Sequence, residues 1–160
     1  MREPNDLPEN HYGMILVPKH DVLPMYHARK NKIKACLKQV LADYHVKVIR
    51  CESIDDCLYL HIDMSQRPML PDKLVYLVKT KSSDQIRQFK SYKGYTFDGE
   101  EFWCKHYFIE DFRLPRDRIE WFSEQALYVD CFGEGPYFFP IRQPQTIYEK
   151  REAEFQNMMN

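Results

Sequence analysis

The chain has 160 residues, of which 44% are hydrophobic and 14% aromatic, and its 23 Lys and Arg against 24 Asp and Glu give a net charge of -1. Such a length and composition describe one domain with a real core and exclude a disordered chain. A charge so near balance argues against a strong generic nucleic-acid binder, and no apolar run is long enough to cross a bilayer.

Residues 1–10 are polar, carry Pro4 and Pro8 and lack an apolar leader, so they read as a flexible tail on a cytoplasmic protein. Five cysteines (Cys36, Cys51, Cys57, Cys104 and Cys131) form no Cys-x-x-Cys pair and leave an odd one, as expected of reduced thiols in the cytoplasm. Tyr12 to Val17 is an apolar run stopped by Pro18, which predicts a buried strand. A helix is expected over about Tyr26 to Tyr44, with Ile33, Cys36, Leu37, Val40, Leu41 and Tyr44 as its apolar stripe. Its lysines fall mostly off that stripe. Val46 to Cys51 predicts a second strand, Ser53 to Asp56 a turn, and Cys57 to Met64 a third strand paired to the second as a hairpin.

The third strand sorts cleanly by face. Leu58, Leu60, Ile62 and Met64 make one apolar side, whereas Cys57, Tyr59, His61 and Asp63 make the other, at roughly 7 Å between alternate residues. All four of the latter can ligate, hydrogen-bond or titrate. A solvated outer face is the plain alternative.

Beyond a proline-bearing loop, a second helix starts near Pro71 and buries Leu74, Leu77 and Val78. Lys79-Thr80-Lys81 is expected to interrupt it, and Ser82 with Gln85 has the form of a capping box that restarts it. Phe102 to Phe112 predicts an aromatic-rich last strand. Pro115 opens a third helix running to about Tyr128, and Glu149 to Met159 has the pattern of a terminal helix. On a helical wheel Ile119, Phe122, Ala126 and Val129 form a core stripe, while Trp121, Gln125 and Tyr128 form a second, about 110° away. That second stripe faces a site, or else it covers a loop or a partner subunit.

The order strand, helix, strand, strand, helix, strand, helix predicts an α+β fold: a ferredoxin-like split β-α-β antiparallel sheet with helices on one face, plus an additional C-terminal helix. The expected division is a tail over 1–10, a domain over 11–132 and an extension over 133–160. Charge is uneven along it, with basic clusters from Lys19 to Arg50 and from Lys79 to Lys93.

Five segments in order resemble the single-tyrosine HUH transposases of the insertion-sequence-200 type. They are Tyr12-Gly13-Met14-Ile15-Leu16-Val17-Pro18-Lys19, Tyr59-Leu60-His61, Leu74 through Ser83, Phe102-Trp103 through Ile109, and Ile119 through Gln125. The resemblance implies a strand transferase in which two strand histidines and a helix glutamine hold Mg²⁺ or Mn²⁺, while a helix tyrosine attacks the phosphate. It also implies a homodimer whose sheets pair and whose sites draw on both subunits, with Phe102 to Phe108 as the expected edge.

Carried over by position, His61 matches the second histidine and Gln125 the glutamine, with Asp63 as an additional candidate ligand. Tyr59 stands at the first-histidine position, Trp121 at the nucleophile position, and Thr80 replaces a glycine of the basic turn. Indole cannot attack phosphorus, and a neutral phenol is a poor ligand for Mg²⁺ or Mn²⁺. Lys19, Lys79, Lys81, Ser82, Ser83 and Arg87 are the candidate DNA contacts. Three readings follow: a degenerate transposase that binds single-stranded or hairpin DNA, an active one using Tyr128 as a shifted nucleophile, and a dimeric interaction module without DNA. A divalent cation, Mg²⁺ or Mn²⁺, is expected of the active reading; in the degenerate one its binding is expected to be weak or absent.

Overall fold

Along 47–63 the chain reverses at Asp55 and Asp56, and the pairing of the two arms shifts register once, between Val48 and Arg50. Asp55 takes a left-handed backbone (φ 53°), which Asp tolerates better than most residues. The computed structural model describes residues 5–90, 94 and 96–133. In order come β1 (His11–Leu16), a 3-10 turn (His20–Val22), α1 (Leu23–Ala28), α2 (Lys30–Asp43), β2 (Lys47–Ile54), β3 (Cys57–Asp63), α3 (Pro71–Ile86), β4 (Phe108–Glu110) and α4 (Arg116–Phe132). The sheet runs β2-β3-β1-β4, and every neighbouring pair is antiparallel. This is the ferredoxin-like order the sequence predicts.

Two apolar layers hold the sheet. On one face Met14, Leu16, Leu58, Leu60 and Ile62 meet Ile33, Leu37 and Leu41 of α2 and Leu74, Val75 and Val78 of α3. On the other, Ile15, Val17, Ile54, Cys57, Tyr59 and Phe108 meet Ile119, Phe122 and Ala126 of α4. The additional helix therefore covers part of the face expected to be open. Cys57 is fully buried and Tyr59 only 4% exposed, so the polar row of β3 is half covered.

Four local expectations are revised. The first helix is two, α1 and α2, divided at Arg29 (φ -122°, ψ 25°). α3 does not break at Lys79, because Ser82 and Ser83 are buried and engaged elsewhere. Ser82 Oγ accepts the Trp103 indole N–H at 2.9 Å, and Ser83 Oγ accepts the Phe102 backbone N–H at 3.0 Å. The last strand shrinks to Phe108–Glu110, with a separate bridge between Pro18 and Trp103. Phe102, Trp103 and Phe108 are all fully buried, so their side chains feed the chain's own core, while β4 itself lies at an edge of the sheet. Residues 5–10 are not a loose tail: Leu7 is buried and donates to Asp111 O, and Arg113 donates to Asn5 O. The predicted helix Glu149 to Met159 lies outside the described residues.

Candidate functional site

Strand pairing brings together what the β3 pattern alone does not contain. His11 lies directly across from Asp63, and Gly13 across from His61. All four side-chain positions share a sheet face, because antiparallel partners point the same way. Gly13 leaves that face bare, and the Tyr59 hydroxyl fills the space: a Cβ at residue 13 would stand 2.8 Å from it. His61 reaches diagonally to His11, where Nε2 lies 2.8 Å from Nδ1 and the rings tilt at 57°.

Behind His11, on its other nitrogen, Asp63 Oδ2 stands 3.6 Å from Nε2. Asp63 also accepts the Ser65 backbone N–H at 2.8 Å, which, with the Ser65 hydroxyl, holds its carboxyl below the usual range. Burial, then the neighbouring His11 and the Arg113 charge, push the His61 imidazole below its ordinary value. At neutral pH this favours the uncharged ring.

The other positions carried over from the resemblance do not converge here within one chain. The Tyr59 hydroxyl is buried, which raises its pKa, while the nearby Arg113 guanidinium opposes the rise by its charge and by a hydrogen bond too loose to satisfy the phenol fully. Gln125 Oε1 is buried without a partner, and no hydrogen bond joins it to His61. Ser123, two residues before it, lies against the Cys57 thiol, whose pKa burial raises to about 12. Cys57 is four strand positions from His61, roughly 13 Å. Trp121 is half-buried against the α4 side of the core. Tyr128 is 44% exposed with its ring 4.9 Å from Phe132.

α4 ends far from the histidines. Asp130 Oδ2 accepts the His20 backbone N–H, which pins the helix end beyond the C-terminus of β1. His11 starts that strand, so roughly 17 Å of β1 separates the two ends.

The candidate DNA residues divide into occupied and open ones. Lys79 is 7% exposed: its ammonium donates to Lys105 O at 3.2 Å and pairs with Glu101 at 3.2 Å, and burial lowers its pKa. Ser82 and Ser83 dock the 102–103 segment, as described above. Arg87 pairs with Asp84 and donates to Gly99 O and Glu100 O. Lys81 is exposed, as are Lys32 and Lys38 on the adjoining α2. Lys19 lines a cleft of about 440 Å³ with Lys105, His106 and Asp130, at the end of the sheet away from His11.

His11 is the site residue that sequence reasoning missed. It stands at the start of the expected domain, outside every motif, and only the β1–β3 register brings it beside His61.

Residues 7–115 match the family model described as "Transposase IS200 like". The chain is 20% identical over 123 residues to the transposase for insertion sequence element IS200 of Salmonella typhimurium strain LT2, covering 77% of this chain and 80% of that one. The Salmonella typhi counterpart gives the same values. Its fold is similar to a crystal structure titled as that of a candidate transposase from Deinococcus radiodurans R1. The TM-score is 0.55 at 15% identity, covering 79% of this chain and 97% of the other.

Proposed function

The chain belongs to the IS200-like transposase family, and from that membership we propose that it binds single-stranded or hairpin DNA without cutting it. The observation that carries the second half is Trp121 at the nucleophile position: an indole has no group that can displace an alkoxide from phosphorus. DNA binding is supported by Lys32 and Lys38 on α2 and Lys81 on α3, which are exposed on two helices packed side by side. Phosphate contacts need exposed ammonium groups, which favours the helical face as the contact surface, although the Lys32 ammonium also rests over the Phe89 ring.

The resemblance implies a divalent cation held by Tyr59, His61 and Gln125 together. Those three are not assembled as a ligand set in one chain: Tyr59 is packed against Gly13, and no hydrogen bond joins Gln125 to His61 among the described residues. A homodimer would bring a second α4 toward the histidines, and pairing of subunits belongs to this reading. The distance from Asp130 to the start of β1 disfavours Tyr128 as a nucleophile in cis.

The test is a 5′-labelled DNA hairpin with Mn²⁺, run on native and denaturing gels. The native gel is expected to show a shift that weakens steeply between 50 and about 200 mM salt, and the denaturing gel no band carrying both label and protein. Absence of any shift at low salt and micromolar protein would remove the DNA reading. A covalent band abolished by Tyr128→Phe would make the protein an active transposase with a shifted tyrosine.

A further inference from the structure

We propose that the cleft between Lys19, Lys105 and the last turns of α4 binds a nucleotide, its phosphate on the two lysines and its base donating to Asp130. The cleft lies at the end of the sheet away from the histidines. Its ligand class follows from its own walls and needs neither those histidines nor the exposed lysines of α2 and α3.

The walls differ in sign. Lys19 and Lys105 belong to two segments clamped together, since Lys19 N–H donates to Phe102 O at 3.0 Å and Cys104 N–H to Val17 O at 2.6 Å. Among the described residues neither lysine is paired with a carboxylate, whereas Arg50, Lys79, Arg87 and Arg116 all are. Two unpaired cations suit a phosphate monoester, which carries nearly two negative charges at neutral pH. The facing wall is Ala126, Val129, Asp130 and Gly133 of the α4 end. α4 stops at Phe132, so its negative pole and the Asp130 carboxylate lie together there. Asp130 is held in place by the His20 N–H, 2.8 Å from Oδ2, and a carboxylate keeps lone pairs for a second donor. Burial pushes the Cys104 thiol up to about 12, with Asp130 adding to the rise and Lys19 opposing it. Both charges therefore stand near the same buried sulfur.

That polarity sets the class of ligand. A bare anion would be drawn to the lysines but repelled by Asp130 and the helix end. A molecule with a phosphate at one end and a hydrogen-bond donor at the other satisfies both walls. Adenine, cytosine and guanine nucleotides meet this description through their exocyclic amino groups, which thymine lacks. Ala126 and Val129 offer apolar surface to the flat body of the base. The volume, about 440 Å³, lies within the roughly 300–1,000 Å³ typical of small-molecule clefts. A free mononucleotide and a single nucleotide of a strand share this chemistry.

The experiment titrates the full, isotope-labelled chain with dAMP, dTMP or deoxyadenosine and follows its backbone amide signals. dAMP is expected to shift Lys19, Lys105, Asp130 and Gly133 together and saturably. Deoxyadenosine, which has no phosphate, should shift none of them at equal concentration, and dTMP should bind severalfold more weakly. Lys19→Gln and Lys105→Gln should each weaken dAMP roughly tenfold, the loss of one charge-assisted bond. Asp130→Asn, which keeps an oxygen for the His20 N–H, should erase the preference for dAMP over dTMP. Thermal melts check that each variant folds, and the wild-type comparison of the three ligands decides alone where one does not. Displacement of dAMP by a single-stranded oligonucleotide would assign the cleft to a nucleotide of a strand, and persistence of dAMP to a free nucleotide. Absence of saturable shifts, equal binding of deoxyadenosine, or binding unchanged in both lysine variants would each overturn the proposal. The hairpin shift rests on Lys32, Lys38 and Lys81, so failure here leaves the DNA-binding reading untouched.

Discussion

Gly13 carries more of the site than any charged residue does. Its missing side chain admits the Tyr59 hydroxyl, and a Cβ there would also stand 3.2 Å from the Phe112 carbonyl oxygen. Neither neighbour yields easily, since one is the end of a rigid buried ring and the other is backbone. Gly13→Ala should therefore cost about 1–3 kcal/mol through overpacking. Urea denaturation would read this as a lower midpoint at unchanged slope. A variant as stable as wild type would mean that Tyr59 can leave its slot. Tyr59→Phe offers a useful contrast. It removes a buried hydroxyl whose polar neighbour, Arg113, bonds it only loosely, so it should cost about 1 kcal/mol or less.

At the scale of elements, the docking of the 102–104 segment on α3 decides where the aromatic residues go. The Trp103 indole donates to Ser82, the Phe102 amide donates to Ser83, and Lys19 and Cys104 exchange backbone bonds with Phe102 and Val17. Two small hydroxyl residues one turn above the basic stretch let the bulky pair approach the helix. Ser82→Ala leaves the Trp103 N–H buried and unsatisfied, a cost of about 1–3 kcal/mol. Trp103→Phe removes the donor as well, so the double variant should be less destabilised than the sum of the singles. Strict additivity in thermal melts would show that the bond contributes nothing. The same docking explains why α3 continues through a stretch that reads as a break. Ser82 faces the core here, whereas a cap must face a helix end.

Across the whole molecule, the candidate site residues sit at opposite ends of one sheet. The histidine pair lies at the start of β1, and the end of α4 is tied to His20 beyond the other end. A site that needs both requires a second chain. β2 is an edge strand on which Ile49 is 45% exposed, and its outer backbone row has no partner strand among the described residues. Light scattering should therefore give a mass twice the 19.4 kDa of the chain. A monomer throughout the micromolar range would defeat the two-chain arrangement and leave the single-chain histidine pair intact. Among the described residues no helix is long and apolar enough to cross a membrane.

The sequence by itself determined the topology and the family. Period-two alternation in β3, the apolar stripe of α2 and the turn at Asp55 and Asp56 are local patterns, and local patterns survive without knowledge of neighbours. The indole of Trp121, on which the proposal of a degenerate site rests, was equally legible, because it is a matter of residue identity. Tertiary structure alone decided which side chains meet. His11 stood outside every motif and became the partner of His61 through strand register, a pairing across 50 positions. Lys79 read as a solvent-facing base until the fold turned it toward Lys105 and Glu101. Cys57 and Tyr59 shared a polar row with His61 and Asp63 until α4 covered half of it. In each case the deciding contact joins residues distant in sequence, and such contacts are fixed by how layers stack.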